Sequence, residues 1–139
     1  MHAIVFAALL SVEIAAPQRS IISQSQIEAF CNGKSNLACT IFDETTIACD
    51  CIERAGTWGT QTRLRTVPRM YLTSPHWMRH EGLHIADMLY SFRAYANETD
   101  AATFASRGEC ESHALEAIRR FPEALREFQR ATTLLRDGR

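Results

Sequence analysis

The residues best suited to chemistry lie between positions 80 and 84, where the chain reads His80-Glu81-Gly82-Leu83-His84. This is the pattern H-E-x-x-H. On an α-helix, its two histidines lie one turn apart on the same face, so both imidazoles can reach one Zn²⁺ ion. Zinc–nitrogen bonds are about 2.0–2.1 Å long and tolerate little misplacement, which is why the spacing matters. Glu81, next to the first histidine, can hold and deprotonate a water on the metal.

A helix must present this motif, and the preceding residues contain its start signals. Ser74 is a suitable N-cap and Pro75 suits the first helical position, so we predict a helix from there to about Ala94. Upstream, residues 61–67 alternate polar and apolar side chains, which predicts a half-buried strand. Pro68 lacks a backbone donor and predicts that this strand ends there or lies at a sheet edge.

From Trp77 to Ala86 the chain resembles the zincin metallopeptidases, and the order of strand, helix, loop and later helix is similar over a longer stretch. The resemblance implies an α+β fold with a short antiparallel or mixed sheet, an active-site helix and a ligand-bearing helix. It also implies that an edge strand, here residues 63–67, aligns the substrate beside the metal. The implied activity is zinc-dependent hydrolysis of peptide bonds, with Glu81 as general base and a peptide or protein as substrate.

The resemblance further implies a third zinc ligand downstream. In the metzincin type this ligand is a histidine after a glycine, but those positions hold Tyr90 and Asp87, which excludes that type. In the gluzincin type it is the glutamate of a later E-x-x-A motif, which residues 111–114 match. Glu111 borders an apolar stripe at helical spacing, formed by Cys110, Ala114, Ala117, Ile118 and Phe121. The predicted metal ligands are therefore His80, His84 and Glu111, with Glu109 and His113 as alternatives to Glu111.

Three further polar residues lie close to these positions. Asp87 lies one turn beyond His84 on the same face, where its carboxylate either orients a ligand imidazole or pairs with an arginine. His113 either stabilises the oxyanion of the reaction or is an ordinary surface histidine. His76 lies one turn before the motif but about 12 Å from His84 along the helix, which is too far to share its metal.

The first residues of the chain predict export. Residues 3–16 form an apolar run that is shorter than the ~20 residues of a membrane-spanning helix but fits a secretory signal. We therefore predict a signal peptide over residues 1–16, a secreted or periplasmic location, no stable membrane insertion after processing, and a single domain over 17–139. The alternative is that this run is a strand or helix of the domain itself. A length of 139 residues and a net charge of −1 predict one globular domain and no nucleic-acid partner.

Five cysteines support the prediction of export, because small exported domains gain stability from disulfides. Residues 40–48 have the pattern of a hairpin with its turn at 43–45, which would bring Cys39 near Cys49 or Cys51. A zinc knuckle is the alternative, but the pair Cys49-Asp50-Cys51 lacks the usual spacing between ligands. The connectivity stays open, and the odd number leaves one cysteine over. The five are Cys31, Cys39, Cys49, Cys51 and Cys110.

The remaining segments predict helices. Residues 25–31 predict a short helix with Gly33 as its stop. A helix over 109–120 and another from Pro122 follow, the latter with an apolar stripe of Ala124, Phe128, Ala131 and Leu135. None of these patterns encodes an oligomeric state. The alternative to a peptidase is a non-catalytic zincin fold, or a disulfide-stapled binding module in the periplasm or outside the cell.

Overall fold

The computed structural model describes residues 11–31 and 37–138 of the chain. Within these ranges the fold is mixed α+β, as the sequence predicts, with five strands, three α-helices and one turn of 3-10 helix. The strands are β1 (Val12–Ile14), β2 (Gln18–Ile21), β3 (Ala38–Arg54), β4 (Thr57–Leu72) and β5 (Thr103–Phe104). The α-helices are α1 (Gln24–Phe30), α2 (Met78–Asp100) and α3 (Arg107–Asp137).

The strand β4 is the centre of the sheet. On one side β3 pairs with it antiparallel along its whole length. On the other side lie β1 and β2, which are both parallel to β4, and the short antiparallel β5. The sequence predicts a strand end or edge at Pro68, but this proline is buried inside β4. Pro68 lies between Thr66, which pairs with β1, and Arg69, which pairs with β2. Neither β1 nor β2 therefore needs the backbone N–H that proline lacks.

The prediction that residues 63–67 form the edge of the sheet is wrong. Four of the five pair with β3, the exception being Thr66 at the register shift, and Leu64 to Thr66 pair with β1. Among the described residues, the long strand that pairs on one side only is β3. The error arises because β1 comes from the segment that the sequence analysis assigns to a signal peptide.

β3 is one continuous strand, not the hairpin predicted with its turn at 43–45. The pairing of β3 with β4 shifts in register between Asp43 and Thr46, and Glu44 in this stretch has a positive φ of 50°. The extra residue of β3 forms a β-bulge. The hairpin turn lies instead at Ala55 and Gly56, whose φ angles of 52° and 80° suit a two-residue turn. Cys39, Cys49 and Cys51 therefore lie on the same strand, with Cys39 ten residues before Cys49. The predicted approach of Cys39 to Cys49 or Cys51 across a turn is wrong.

Two disulfides join Cys31 to Cys39 and Cys51 to Cys110, while Cys49 is a free thiol. The first ties the end of α1 to the start of β3, and the second ties β3 to the start of α3. Disulfides fit an extracellular location, and with four of the five cysteines paired in this way the alternative zinc knuckle does not form. No helix in the described parts of the chain is both long enough and apolar enough to span a bilayer.

α2 and α3 run antiparallel on one face of the sheet and enclose the hydrophobic core with it. Contacts at both ends of the pair show this orientation. His113 near the start of α3 contacts Thr99 near the end of α2. Asp137 at the end of α3 contacts His80 near the start of α2. The buried core cluster consists of Phe42, Leu64, Met88, Phe92, Ala96 and Phe121.

α3 is one helix of 31 residues with Pro122 inside it, so the predicted break before this proline is wrong. The proline is exposed, and buried positions lie on both sides of it, from Cys110 to Thr132. Burial of this continuous face outweighs the cost of a proline in a helix interior, which is about 3 kcal/mol. Ala131 and Leu135, which the sequence places on the buried stripe, are exposed.

The starts of α1 and α2 lie within a few residues of their predicted positions. Ser23 caps α1 by accepting a hydrogen bond from the backbone of Gln26, whose side chain bonds back to the backbone of Ser23. Ser74 caps the 3-10 turn that leads into α2, which extends to Asp100 and so is longer than predicted. Gly33, the predicted stop of α1, lies outside the described residues.

Part of the predicted signal peptide belongs to the sheet. Backbone hydrogen bonds of 2.8 and 3.0 Å join the two ends of β1 to Leu64 and Thr66, and Val12 packs against the core. Residues 1–10 lie outside the described residues, so the predicted cleavage after Ala16 and the domain bounds stay predictions.

A chain that begins at Pro17 should be less stable than one that begins at Ser11, because it lacks β1 and the contact of Val12 with the core. We expect a Tm lower by roughly 5–10 °C, which corresponds to a loss of about 2 kcal/mol for a domain of this size. Thermal denaturation followed by circular dichroism measures the difference. Equal Tm values for the two chains would show that β1 does not stabilise the domain.

Candidate metal centre

The first two turns of α2 carry the H-E-x-x-H motif at the edge of the core. The buried residues of α2 follow helical spacing from Thr99 through Phe92 and Met88 to His84 and Glu81. The buried face is thus apolar in the middle of the helix and polar at its N-terminal end. His80 and His84 share one face, and their rings lie edge to face with centroids 5.2 Å apart.

The last residue of α3 brings a carboxylate to these two imidazoles. Oδ1 of Asp137 lies 2.6 Å from Nε2 of His80 and 3.2 Å from Nε2 of His84. A single oxygen therefore contacts the same ring nitrogen of both histidines. Three side chains from opposite ends of two helices converge on one point.

Glu81 is the buried carboxylate of the group, with only 2% of its surface exposed. The hydroxyl of Thr40 on β3 donates a hydrogen bond of 2.7 Å to its Oε1, and its Oε2 lies 3.8 Å from Nε2 of His80. Burial raises the pKa of Glu81, while the bond from Thr40 and the nearby imidazoles oppose this effect. Ligand atoms of His80, Glu81 and His84 lie within 4.8 Å of one another, so this group could hold a metal ion.

A chain of hydrogen bonds behind His84 fixes the orientation of its ring. The hydroxyl of Thr132 donates to Asp87 at 2.6 Å, so it receives the Nδ1–H of His84 at 3.0 Å. This arrangement selects the tautomer whose Nε2 lone pair is free to bind a metal. Asp87 is in turn held by two hydrogen bonds from Arg136, which lower its pKa. Both sequence-based interpretations of Asp87 thus apply together: it pairs with an arginine, and it orients a histidine through Thr132.

The structure does not bring Glu111 to the two histidines. Its exposed carboxylate accepts a hydrogen bond of 2.8 Å from Arg107, one turn earlier on α3. At 1.5 Å per residue, Glu111 lies about 39 Å along the same helix from Asp137, which does contact the histidines. The E-x-x-A match of residues 111–114, on which the prediction of Glu111 depends, therefore lies at the end of α3 that is remote from the motif.

The two alternatives to Glu111 also lie at the far end of α3. Glu109 is exposed in the first turn, where its backbone N–H bonds to the cap residue Ser106. His113 donates a hydrogen bond of 2.8 Å to the backbone oxygen of Thr99, and its ring packs against Phe104. Neither residue is part of the His80–Glu81–His84 group.

Sequence reasoning missed four residues that surround the motif: Thr40, Thr132, Arg136 and Asp137. No local pattern marks any of them, since each is brought to the motif by tertiary packing. The only signal available was periodicity: Thr132 continues the buried face of α3 that begins at Cys110, provided that the helix is extended through Pro122.

A cavity of about 480 Å³ opens beside the group. Glu81 and His84 line it together with residues 38–42 of β3 and with side chains of α3 between Gln129 and Asp137. Such a volume is typical of ligand-binding sites, which range from about 300 to 1,000 Å³.

No family model, no curated protein and no solved structure matches this chain. The site comprises two imidazoles, two carboxylates and an adjoining cavity.

With Zn²⁺ as the probe ion, replacing Thr132 by Val should weaken any metal binding by this group about 10–100-fold, because the ring of His84 loses the acceptor that fixes its tautomer. Thr133→Val is the matched control, since Thr133 lines the same cavity but does not contact His84 in this chain of bonds. Competition with a zinc chelator measures both affinities. Equal affinities would contradict a role for Thr132 in orienting the histidine.

Proposed function

We propose that this chain is a zinc-dependent peptidase in which His80, His84 and Asp137 bind the metal and Glu81 is the general base. The observation that carries the proposal is the contact of one Asp137 oxygen with Nε2 of both histidines, next to a carboxylate that is buried in the same cavity. In this arrangement Asp137 takes the position that the resemblance to gluzincins assigns to Glu111.

The donor set fits zinc. Zinc in catalytic sites takes three protein ligands, and imidazole nitrogen and carboxylate oxygen are among its usual donors. Two ligands of a tetrahedral zinc lie about 3.3 Å apart when its bonds are 2.0–2.1 Å long. The distance of 3.2 Å from Asp137 to His84 is close to this value, and that of 2.6 Å to His80 requires only a small shift of one side chain. The adjoining cavity leaves room for a water and a substrate.

The mechanism assigns the proton transfers to Glu81. Zinc, when bound, supplies Lewis-acid polarisation of a carbonyl group and lowers the pKa of water. Glu81 accepts a proton from the attacking water and returns it to the amine that leaves. Thr40 holds Oε1 of Glu81, so Oε2, which faces His80, is the oxygen that carries the proton. Burial favours this role because it raises the pKa of the carboxyl above its usual value.

The substrate that best suits the cavity is an extended polypeptide. Five consecutive residues of β3, 38–42, line the cavity. Successive residues of a strand face opposite sides of the sheet, so a run of consecutive residues lines a cavity through the strand's edge. Because β3 pairs only with β4 in the described residues, this edge offers backbone donors and acceptors to another strand. The edge that would align a substrate is therefore on β3 and not at residues 63–67.

The alternative function is a disulfide-stapled binding module without catalysis. The two disulfides are compatible with either function, since both stabilise a small domain. The burial of Glu81 favours the peptidase. A buried carboxylate is costly to desolvate, and an apolar side chain would pack there at lower cost if only stability were needed.

Glu81→Gln should keep one zinc per chain and lose peptide hydrolysis by about 10²–10⁴-fold, because the amide cannot accept the proton of water. Glu98→Gln, an exposed change on the same helix, is the control and should behave as wild type. Zinc content by atomic absorption and cleavage of a peptide mixture by mass spectrometry give the two readouts. Full activity in Glu81→Gln would refute the mechanism.

The third ligand is tested by comparing two carboxylates on α3. Asp137→Ala should lose most of its zinc and its activity, whereas Glu111→Ala should keep both, because Glu111 pairs with Arg107 far from the motif. Zinc content and melting curves of both variants distinguish loss of metal from loss of fold. The opposite result, with zinc lost only in Glu111→Ala, would restore the ligand set predicted from the sequence.

A further inference from the structure

A second cavity, of about 590 Å³, lies between α2 and α3 and away from the candidate metal centre. On α3 its lining residues recur every three or four positions from His113 to Glu127, which is one face of the helix. On α2 they are Tyr95, Glu98 and Thr99. We call this cavity the interhelix groove. Glu127 lies about 15 Å along α3 from Asp137, so the groove is separate from the cavity at the motif.

Four carboxylates line the interhelix groove, and most of them are unpaired. Glu116 forms ion pairs with Arg119 and Arg120. The others have no ion pair among the described residues, and they are Glu98, Glu123 and Glu127. Arg120 is the one arginine in the described lining, so four carboxylates and one guanidinium give a formal charge of −3, leaving His113 aside. Acidic residues are common on protein surfaces, however, and their charge alone does not define a site.

The hydroxyl of Thr99 is an independent indication of a ligand. Thr99 is only 8% exposed, and its hydroxyl has no hydrogen-bond partner among the described residues, since Thr60 and His113 both bond to its backbone oxygen. In the described part of the chain, no side-chain oxygen or nitrogen that is sealed from solvent lacks a partner. The hydroxyl of Thr99 therefore opens onto the interhelix groove, which this residue lines. A polar group so nearly buried is costly to leave unpaired, so a donor from a ligand would be favourable there.

The interhelix groove offers hydrogen-bond acceptors and few donors. Nε2 of His113 donates to the backbone of Thr99, so in the neutral ring Nδ1 is an acceptor. The hydroxyl of Tyr95 donates its only hydrogen to the backbone oxygen of Ala117. Ionised carboxylates accept hydrogen bonds and do not donate them. A ligand that is rich in donors and positively charged is therefore the chemical complement of this lining.

We infer that the interhelix groove binds a chain that carries two or more ammonium groups, as in a lysine-rich polypeptide segment or a linear polyamine. An ammonium group offers three donors and no acceptor, which complements the lining. Glu116 and Glu127 lie about 17 Å apart along α3, so a chain with spaced charges can contact carboxylates at both ends. Ala117 and Ala124 line the groove between them, where small side chains leave room for methylene groups. The inference does not depend on the proposed peptidase, since none of its metal ligands lines this groove.

The test is a titration of the full-length chain by isothermal calorimetry at low ionic strength. The cationic probes are spermidine and a blocked heptapeptide of Gly and Ser with lysine at its second and sixth positions. The reference probe is the same peptide with glutamine at both positions. We expect the lysine peptide to bind about tenfold or more tightly than the glutamine peptide, and this preference to fall at least threefold at about 0.3 M NaCl, because salt screens exposed charges.

Two variants locate the binding. Thr99→Val removes the unpaired hydroxyl and should weaken binding of the cationic probes about threefold or more without lowering the Tm, because no hydrogen bond within the protein is lost. Glu123→Gln with Glu127→Gln removes two carboxylates of the groove and should weaken binding about tenfold. The matched control is Glu28→Gln with Glu53→Gln, which removes the same charge at exposed positions outside the groove and should stay within about twofold of wild type. Melting curves show that each variant is folded.

Binding of a cationic probe that is weakened in Thr99→Val and in the double glutamate variant, but kept in the control, supports the inference. If only one cationic probe behaves in this way, the groove is assigned to polypeptides or to free polyamines accordingly. The inference is overturned if neither cationic probe binds more tightly than the glutamine peptide, if the control loses as much affinity as the double variant, or if Thr99→Val binds like wild type. Peptide hydrolysis is not measured in these titrations, so failure of the proposed peptidase would leave their result unchanged.

Discussion

The ion pair between Asp87 and Arg136 fixes the part of the fold on which the candidate metal centre depends. Asp137 is the last residue of a long helix, and helix ends tend to fray because their final carbonyl groups lack partners. Two hydrogen bonds from the guanidinium of Arg136 to Asp87 anchor the final turn of α3 to α2. The neighbouring residue, Asp137, is thereby held against His80 and His84. Without this anchor, the carboxylate of Asp137 would be held only by its contacts with the two imidazoles.

The core of the domain determines where this polar site can form. Both packed helices are apolar along their middle and polar at the end where α2 begins and α3 finishes. The apolar part forms the buried core, and the polar part includes the buried carboxylate of Glu81. The cost of burying Glu81 is only partly offset by the hydrogen bond from Thr40 and by its position in the first turn of α2, where the helix dipole favours a negative charge.

Local patterns predicted the helix that begins after Ser74 and the grouping of His80 with His84, because helical spacing and capping act over a few residues. The α+β class was implied by the resemblance to zincins. The third carboxylate could not be found in this way. Pro122 is a strong helix breaker in isolation, and only the burial of a face that continues beyond it keeps α3 intact to Asp137. The edge of the sheet was misplaced for a similar reason, since strand partners come from distant parts of the chain. In both cases packing over long sequence distances outweighed the local signal.

The free thiol of Cys49 has a consequence for how this chain must be oxidised. It lies two residues from Cys51 on β3, and alternate residues of a strand share a face, so both thiols project to the same side of the sheet. Loops from Cys110 to either residue differ by only two residues in length and negligibly in closure entropy. Chain statistics therefore cannot select the native partner. The docking of α3 on the sheet distinguishes the two cysteines, because it places Cys110 within disulfide distance of Cys51 and leaves Cys49 as the thiol.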